Sequence, residues 1–566
     1  MPAADPAPRP ADLILVGGSV WTGDAVGRWA EGVAILDGRI VAVGSDHELR
    51  AWAGPATEVV PLRGRMVCPG FQDAHIHPAG GGLDRRRCDL SSLRTRPEYL
   101  AAIRAYAQAH PDLSWILGRG WSMPAFPGGI ATATELDQAV PDRPCFLRNR
   151  DGHGAWVNSR ALELAGIDAA TSDPVDGRIE RDDAGSPVGT LHEGARDLVE
   201  RLVPQPSEAE REAAILEAQA YTHQLGITAW QDANLDWRGG RYASLDAYLR
   251  LVQRGLLSVR VVGALWWDRH QGLEQVQELV EVRERARRGG FRATTVKIMQ
   301  DGVLENFTAG VLEPYLDGHG CATDRHGLSF VDPDVLVQAV PALDRAGFQV
   351  HFHAIGERAV REALDAVEAA RQSNGMNDLR HHIAHIQVIH PDDVGRFRGL
   401  QVAANAQPLW AVSEPQMTEL TIPFLGPVRS AWQYPFASLA RQGAVVAFGS
   451  DWPVSSCDPL WQLHVAVNRL PPAGDVTHQP NRAEAIPFLP EEGLSLAVAL
   501  RASTMGSAYV NHLDAESGSL EVGKAADLVV LDRNIFEESQ LAIGSARVLL
   551  TLVNGRTVHQ DRSGWR

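Results

Sequence analysis

The sequence predicts a (β/α)8 barrel with a large insertion and a small β-sandwich module. Three observations support this fold class. Strand-like and amphipathic helical segments alternate through the middle of the chain, well over a hundred residues separate the first two of these strands, and short β-rich segments occur at both chain ends. Such alternation is typical of a parallel sheet with crossover helices. Eight strand–helix units favour a closed barrel, whose chemistry lies at the C-terminal ends of its strands.

The two chain ends are predicted to form one β-module, residues 1–68 with 506–566. Asp37-Gly38 and Asn554-Gly555 have the composition of tight hairpin turns between short strands. Two independent β caps would produce the same pattern, so that alternative stays open here. The expected strands are 12–19, 33–36, 39–43, 57–61, 527–531, 548–553 and 556–559.

The barrel is predicted to span residues 69–505. Its eight expected strands are 66–77, 227–232, 259–266, 294–300, 348–353, 381–386, 401–406 and 445–450. Apolar spacing and capping residues predict helices at 207–224, 273–288, 333–346 and 357–372.

Residues 83–205 are predicted to form an inserted, lid-like subdomain over the barrel mouth. The segment is far longer than one crossover needs, and long insertions in βα loops fall at that end of a barrel. It contains helical pieces at 97–109 and 158–164 and β-like pieces around 177–193.

Composition excludes several function classes. The formal net charge of −17 would repel nucleic acid and anionic membranes, so neither is an expected partner. The N-terminus lacks the pattern of a signal peptide, and no apolar run approaches the length of a membrane span. The cysteines, odd in number and scattered, predict reduced thiols in a cytoplasmic protein; they are Cys68, Cys88, Cys145, Cys321 and Cys457.

Histidines mark the ends of three predicted strands. His75 and His77 are spaced by one residue, so both point to the same side of a strand, and neutral imidazoles suit zinc. A lone pair of this kind is more often just two polar residues on a strand. In the fifth strand His353 lies at the C-terminal end, and His351 is expected one layer deeper.

The sixth strand adds a third histidine position. Strict alternation places His381 and His385 on one face, with His385 nearer the strand end, and predicts that His382 faces the helices.

Two further strand ends complete a candidate ligand set. Lys297 lies in an apolar strand, where a lysine is costly unless it is modified, paired or facing a polar cavity. Asp451 lies where the last strand becomes a loop, although an isolated aspartate there is usually a turn residue. The whole set is much more specific than any member: His75, His77, Lys297, His353, His385 and Asp451.

With this set of residues the chain resembles the amidohydrolase superfamily, and within it the YtcJ-like or amidohydrolase-3 branch that includes N-substituted formamide deformylases. The resemblance covers nearly the whole chain, and the second and third of its landmark segments distinguish this branch. The landmarks are PGFQDAHIH at 69–77, DGHGAWVNSRAL at 151–162, GTLHEGA at 189–195, HAIGERAV at 353–360, GSDWPV at 449–454 and GKAADLVVL at 523–531.

The resemblance implies a metal-dependent amidohydrolase that cleaves a non-peptide carbon–nitrogen bond of amide or formamide type. It implies two Zn²⁺ ions, although other divalent transition metals would also suit the site. The histidines of the first strand and Asp451 would bind one ion, the histidines of the fifth and sixth strands the other, and a carboxylated Lys297 would bridge them. Asp451 would act as general base and acid toward a metal-activated hydroxide. The expected partner is a small N-substituted amide, and a homodimer stays open.

Glu357 keeps a second function open. Relatives usually have Gly-Asp where this chain has Gly356-Glu357, and mononuclear zinc deaminase-like hydrolases, which act on cyclic amidines or heterocycles, carry a proton-shuttling glutamate soon after the fifth-strand histidine. An acid at a helix start is also explained by the helix macrodipole alone. Lys297 argues against the mononuclear alternative.

Four residues are predicted to contact the substrate: Trp121, His153, Trp156 and Gln407. For the two tryptophans a place in the hydrophobic core is an equally good interpretation. Trp266, Trp267 and Trp410 also lie near strand ends. If several of these aromatic side chains face the cavity, an aromatic or apolar substrate group fits better than a highly charged one.

Overall fold

The computed structural model describes residues 9–239, 243–475 and 485–565, so the first eight residues of the Ala/Pro-rich start lie outside the described part. Its centre is an eight-stranded parallel sheet in which each strand pairs with the next in sequence. Backbone hydrogen bonds from Asp451 N to His75 O (2.7 Å) and from His77 N to Trp452 O (2.8 Å) join the loop after the last strand to the end of the first strand. The predicted barrel is confirmed. Its strands are Phe71–Ile76, Ile227–Leu235, Arg260–Trp266, Arg292–Met299, Gln349–Ala354, His382–His385, Ala403–Ala406 and Val446–Phe448.

The segment expected to be one strand at 66–77 is two strands in different sheets. Met66–Pro69 belongs to a terminal sheet, and Phe71–Ile76 begins the barrel. Gly70 separates them, and a Cβ atom at this position would lie 2.4 Å from Thr228 Cγ2. The chain therefore changes sheets at a point where only glycine fits against the second barrel strand.

Helices cover the outside of the barrel, and all four predicted helices are present with ends shifted by at most two residues. Ser207 and Glu210 cap the first of them reciprocally, since each side chain accepts a hydrogen bond from the other residue's backbone N–H. The principal helices are Glu208–Gln224, Leu245–Gln253, Gln275–Arg288, Pro333–Arg345, Glu357–Asn374, Pro391–Gly399, Pro415–Leu420, Ile422–Ser430, Phe436–Arg441, Pro459–Asn468 and Leu496–Arg501.

The terminal module consists of two sheets, and one of them contains strands from both chain ends. The predicted strand 12–19 is divided into two, one in each sheet. The predicted hairpin turns have the left-handed conformation that such turns require, with φ of 50° and 75° at Asp37-Gly38 and 50° and 71° at Asn554-Gly555. In spatial order the sheets are Arg39–Gly44, Gly32–Leu36, Leu13–Val16 and Glu58–Pro61; and Arg556–Gln560, Val548–Val553, Leu528–Leu531, Met66–Pro69, Ser19–Trp21 and Trp29–Ala30.

The insertion between the first two barrel strands has its own six-stranded sheet and hydrophobic cores. Its side chains Arg119 and His153 line the cavity at the C-terminal ends of the barrel strands, so the insertion forms one wall of that cavity. In spatial order its strands are Gly177–Arg181, Pro187–Glu193, Gly154–Val157, Cys145–Asn149, Ile116–Trp121 and Cys88–Asp89, and its helices include Arg96–Ala109, Ala133–Asp137, Ser159–Ala165 and Asp197–Glu200.

Two further sequence expectations concern membrane spans and cysteines. Within the described ranges, no helix combines the length and apolar character needed to cross a membrane. All five cysteines are free thiols, and only Cys321 is exposed.

Candidate metal centre and adjoining cavities

The side chains of all six predicted metal ligands line one cavity of 670 Å³ at the C-terminal end of the barrel. His75 Nε2 lies 3.1 Å and His77 Nε2 2.9 Å from Asp451 Oδ1. His353 and His385 form a second group, with ring centroids 4.3 Å apart. The ring of His385 also lies 4.7 Å from that of His75, so the two groups adjoin.

The donor atoms of this cavity suit a divalent cation. His385 Nδ1 is buried and has no hydrogen-bond partner in the described part of the chain. Burial, reinforced by the charge of Lys297, lowers the pKa of His75 to about 3. Burial works to raise the pKa of Asp451, but the neighbouring His75 and His77 hold it well below its ordinary value. Neutral imidazole beside carboxylate is the protonation state that binds metal, and leaving the His385 Nδ1 atom buried and unsatisfied is costly.

Lys297 occupies the same cavity lining near the end of the strand Arg292–Met299. Its side chain is buried, with 2% of the residue surface exposed. Burial lowers its pKa from 10.5 to about 7, and Asp451 opposes this only in part. The neutral amine is therefore well populated near neutral pH, in contrast to an ordinary lysine.

The sixth barrel strand departs from strict alternation, and the predicted orientation of its first two histidines is wrong. His381 faces the helices, with Nε2 2.9 Å from Asp344 Oδ2 of the helix Pro333–Arg345. His382 points into the barrel, where its Nε2 lies 3.1 Å from Gln231 Oε1. The alternation counted from these residues would direct His385 away from the barrel interior.

His385 nevertheless reaches the cavity because the backbone bends there. Its φ is 77° and that of Ile386 is 42°, both in the left-handed region that non-glycine residues rarely adopt. Gln407 supports the bend, since its Oε1 accepts a hydrogen bond from the His385 N–H at 2.7 Å. Gln407 itself is not part of the lining of either cavity described here, so its observed contact is with the ligand strand.

Trp121 and Trp156 lie in the core of the insertion. Both are fully buried, and both pack edge to face against Phe126. Their indole N–H groups donate to backbone carbonyls, at 2.9 Å for Trp121 and 2.7 Å for Trp156. Neither ring belongs to the described cavity linings, which agrees with the core interpretation.

His153 lines the metal cavity from the insertion. Its Nδ1 lies 2.9 Å from Glu193 Oε1, and the hydroxyl of Thr308 donates to the same oxygen at 3.0 Å. Glu193 has φ of 48° and ψ of −129°, a strained conformation of the kind that concentrates at functional sites. Burial works to lower the pKa of His153, but the charge and hydrogen bond of Glu193 outweigh it and the pKa is raised. The His153 ring lies 5.4 Å from that of His353, so this pair adjoins the second ligand group.

A second cavity of 400 Å³ adjoins the first and shares His153, His353 and Asp451 with it. Trp410 stacks on His385, with ring centroids 5.1 Å apart and planes 9° from parallel. Trp266 faces the metal cavity instead, while Trp267 is buried in the barrel core. The lining of the second cavity combines charged side chains, such as Arg119, Arg150 and Glu414, with five aromatic ones: Tyr221, Trp410, Tyr434, Trp452 and Trp461.

Two buried aspartates support the ligand strands and were not among the predicted site residues. Asp73 accepts hydrogen bonds from the N–H groups of His75 and Ser450, each at 3.0 Å, and so fixes the first strand against the last. Asp301 accepts three backbone hydrogen bonds from the loops near the fifth strand. Burial raises their pKa values to about 7 and about 8. The sequence indicates their role only through their positions, since Asp73 lies two residues before His75 and Asp301 lies four residues after Lys297.

Glu357 is buried at the start of its helix, and its Oε1 accepts a hydrogen bond from Leu312 N at 3.1 Å. It does not contribute to the described cavity linings. This placement agrees with a structural role for the acid and offers no support for a proton shuttle.

Comparison with known proteins gives a consistent picture. A family model described as "Amidohydrolase family" matches residues 58–559. "Protein LONG AFTER FAR-RED 3" of Arabidopsis thaliana is 33% identical over 98% of this chain and 92% of its own length. "N-substituted formamide deformylase" of Arthrobacter pascens is 28% identical over 98% and 99%. The crystal structure of an uncharacterized metal-dependent hydrolase from Pyrococcus furiosus superposes with a TM-score of 0.69 at 25% identity, covering 92% of this chain and 99% of that one.

Proposed function

This chain belongs to the amidohydrolase family and is a metal-dependent hydrolase of carbon–nitrogen bonds, and we propose that it cleaves non-peptide amides. The leading substrates in this proposal are N-substituted formamides and related N-acyl compounds. The observation that carries the proposal is the convergence of six ligand-type side chains on one cavity, next to a second cavity with five aromatic side chains in its lining. The similarity to an N-substituted formamide deformylase over nearly the whole chain favours this substrate class.

The six ligand side chains would hold two zinc ions. His75, His77 and Asp451 would bind the first, and His353 and His385 the second. Lys297 would bridge them after its neutral amine adds carbon dioxide and releases a proton, which forms an anionic carbamate. The lowered pKa of Lys297, about 7, favours this reaction because only the neutral amine is nucleophilic. When bound, the cations would supply acidity to a water molecule and polarise the substrate carbonyl.

Asp451 would move the proton. Its Oδ1 lies within 3.1 Å of the first-strand imidazoles, and its side chain lines both cavities. It would accept a proton from the attacking water and deliver it to the leaving nitrogen as the carbon–nitrogen bond breaks. The balanced products are a carboxylate, formate for a formamide, and the protonated amine.

His153 would bind the substrate carbonyl side. Glu193 holds the imidazole in place and favours its protonated form, so that the ring presents an N–H donor to the cavity. A donor placed before the reaction stabilises negative charge as it develops on the carbonyl oxygen. This assigns the strained Glu193 a positioning role.

The aromatic cavity would take the substituent of the substrate. It adjoins the metal cavity through shared side chains, and Trp410 presents an aromatic face next to His385. An apolar or aromatic substituent would gain stacking and burial there. This predicts a preference for aromatic over charged substituents.

The test is a substrate panel with zinc-loaded protein prepared in the presence of bicarbonate. N-substituted formamides and acetamides with aromatic, aliphatic and charged substituents would be compared, with amine and carboxylate measured together. We expect equimolar products, faster turnover of aromatic members, and two zinc ions per chain. Asp451→Asn is the matched inactive control. Ammonia release from heterocycles without amide cleavage would contradict the proposal and favour deaminase chemistry.

A further inference from the structure

A layer of buried polar side chains lies directly beneath the metal cavity. His75 Nδ1 lies 2.8 Å from His351 Nε2, and His351 Nδ1 lies 2.7 Å from Gln231 Oε1. Gln231 Nε2 continues the chain to Gln349 Oε1 at 3.2 Å. Because every contact joins a donor to an acceptor, fixing the proton at one end fixes all of them.

Gln349 supplies that fixed end. Its Nε2 lies 2.8 Å from two backbone carbonyl oxygens, those of Arg380 and Val510. Carbonyls only accept, so this atom must be the amide nitrogen and Oε1 must be the acceptor. The hydroxyl of Thr295 donates to the same Oε1 at 2.7 Å. Gln231 must therefore present its own nitrogen to Gln349 and its oxygen to the imidazoles.

A second anchor gives the same orientation of Gln231 independently. The backbone N–H of His385 donates to Gln407 Oε1, so Gln407 Nε2 is the donor to Asn405 Oδ1 at 3.1 Å. Asn405 Nδ2 then faces His382 Nδ1 at 3.2 Å, which must accept. The proton of His382 lies on Nε2, which donates to Gln231 Oε1 at 3.1 Å. Two series of hydrogen bonds, which begin at different backbone groups, therefore meet at Gln231 Oε1, and both require this atom to be an acceptor.

His351 and His75 complete this series of hydrogen bonds. The proton on His351 Nδ1 is required by Gln231 Oε1. A second proton on Nε2 would place a positive charge on a fully buried ring whose hydrogen-bond partners, Gln231 and His75, carry no negative charge. His351 Nε2 therefore accepts, and His75 Nδ1 donates. The other ring nitrogen of His75, Nε2, then faces the metal cavity, 3.1 Å from Asp451 Oδ1.

We infer that Gln349, Gln231 and His351 are positioning residues that keep a proton on Nδ1 of His75 and direct its Nε2 toward Asp451 and the metal cavity. The inference rests on the proposed metal site, since it concerns the readiness of His75 as a ligand. It adds three residues to that site, none of which belongs to the lining of either described cavity.

The first test reads the tautomer itself in metal-free protein. Solid-state NMR of protein with ring-¹⁵N-labelled histidine distinguishes protonated from unprotonated ring nitrogens, and His75→Ala identifies the His75 signals by their loss. We expect wild-type His75 to carry its proton on Nδ1. An unprotonated Nδ1 would overturn the inference, and this result needs no variant of the three positioning residues to fold.

The second test measures zinc affinity by competition with a chelator. His351→Leu removes the acceptor and should weaken binding of zinc by about 10- to 100-fold. His351→Gln can place its Oε1 near the position of the imidazole Nε2, so it should restore affinity close to that of wild type. His381→Gln, a buried histidine that faces the helices, controls for disturbance of the same barrel layer and should leave affinity unchanged.

These readouts separate the inference from the proposed function. A folded His351→Leu protein that binds zinc as tightly as wild type would refute the inference. A loss of zinc affinity in His381→Gln equal to that in His351→Leu would refute it as well. Wild-type protein that carries a proton on His75 Nδ1 and binds zinc but cleaves no amide would refute the proposed function and leave the inference about the positioning residues intact.

Discussion

Replacing Lys297 with methionine separates the energetic effect of its burial from its proposed role as a bridging ligand. Burial lowers its pKa from 10.5 to about 7, a difference that corresponds to about 5 kcal/mol against the ammonium form in the folded protein. Because the folded pKa lies below the unfolded one, the unfolded chain binds more protons between these two pH values. The free energy of unfolding contributed by this residue must therefore rise with pH from about 7 to 10.5.

Urea unfolding of metal-free protein in buffer depleted of carbon dioxide measures this effect. The difference in unfolding free energy, wild type minus Lys297→Met, should grow by up to about 5 kcal/mol across the window from pH 7 to 10.5. Lys524→Met removes a lysine of the terminal module and controls for loss of a lysine outside the cavity. Parallel pH curves for wild type and Lys297→Met would refute the reasoning. With zinc and bicarbonate restored, the same variant should bind less zinc than wild type and lose amide hydrolysis.

Four further predictions concern the site and its surroundings. Asp451→Asn should lower kcat by about 10²- to 10⁴-fold at saturating zinc, and an unchanged kcat would exclude it as the proton carrier. Glu193→Gln should lower the pKa of His153, so the loss of activity at high pH should begin at lower pH than in wild type; an unchanged pH profile would contradict that role. Trp156→Ala should lower the unfolding free energy by about 3–5 kcal/mol but leave KM unchanged, as measured by urea unfolding and steady-state kinetics. Chelation should abolish activity, and zinc at a hundredfold excess over its Kd should restore it and add about 2.7 kcal/mol of stability.

The barrel could be predicted because its strands and helices have local signals. Alternating strand and helix patterns, a capping box at Ser207 and Glu210, and the two hairpin turns each depend on a few neighbouring residues. The division of the first predicted strand at Gly70 could not, because it depends on how closely Thr228 approaches from a distant part of the sequence. A continuous β-rich segment does not reveal that its two halves join different sheets.

The meeting of the six ligand-type side chains at one cavity could be predicted because parallel strands bring their C-terminal ends to one edge, whatever the length of chain between them. Side-chain direction was less predictable. Alternation holds only while the backbone stays extended, and the left-handed turn at His385 redirects that side chain. Trp121 and Trp156 illustrate the same limit, because an aromatic residue in a landmark segment can pack in a core as readily as it lines a cavity.

The buried polar layer beneath the proposed metal ligands is the feature that is hardest to predict from the composition and the spacing of residues in the sequence. The interior of a barrel of this kind is ordinarily filled by branched apolar side chains, which pack without leaving polar groups unsatisfied. Here four polar side chains occupy that interior: Gln231, His351, His382 and Asn405. Burying any of their polar groups would destabilise the fold if its hydrogen-bond partners were lost. Apolar side chains of similar volume could fill the same space, but none could accept the hydrogen bond that fixes a proton on His75 Nδ1. The layer is therefore better explained by the orientation of the ligands above it than by packing alone, and that explanation requires the hydrogen-bond directions, which no sequence pattern displays.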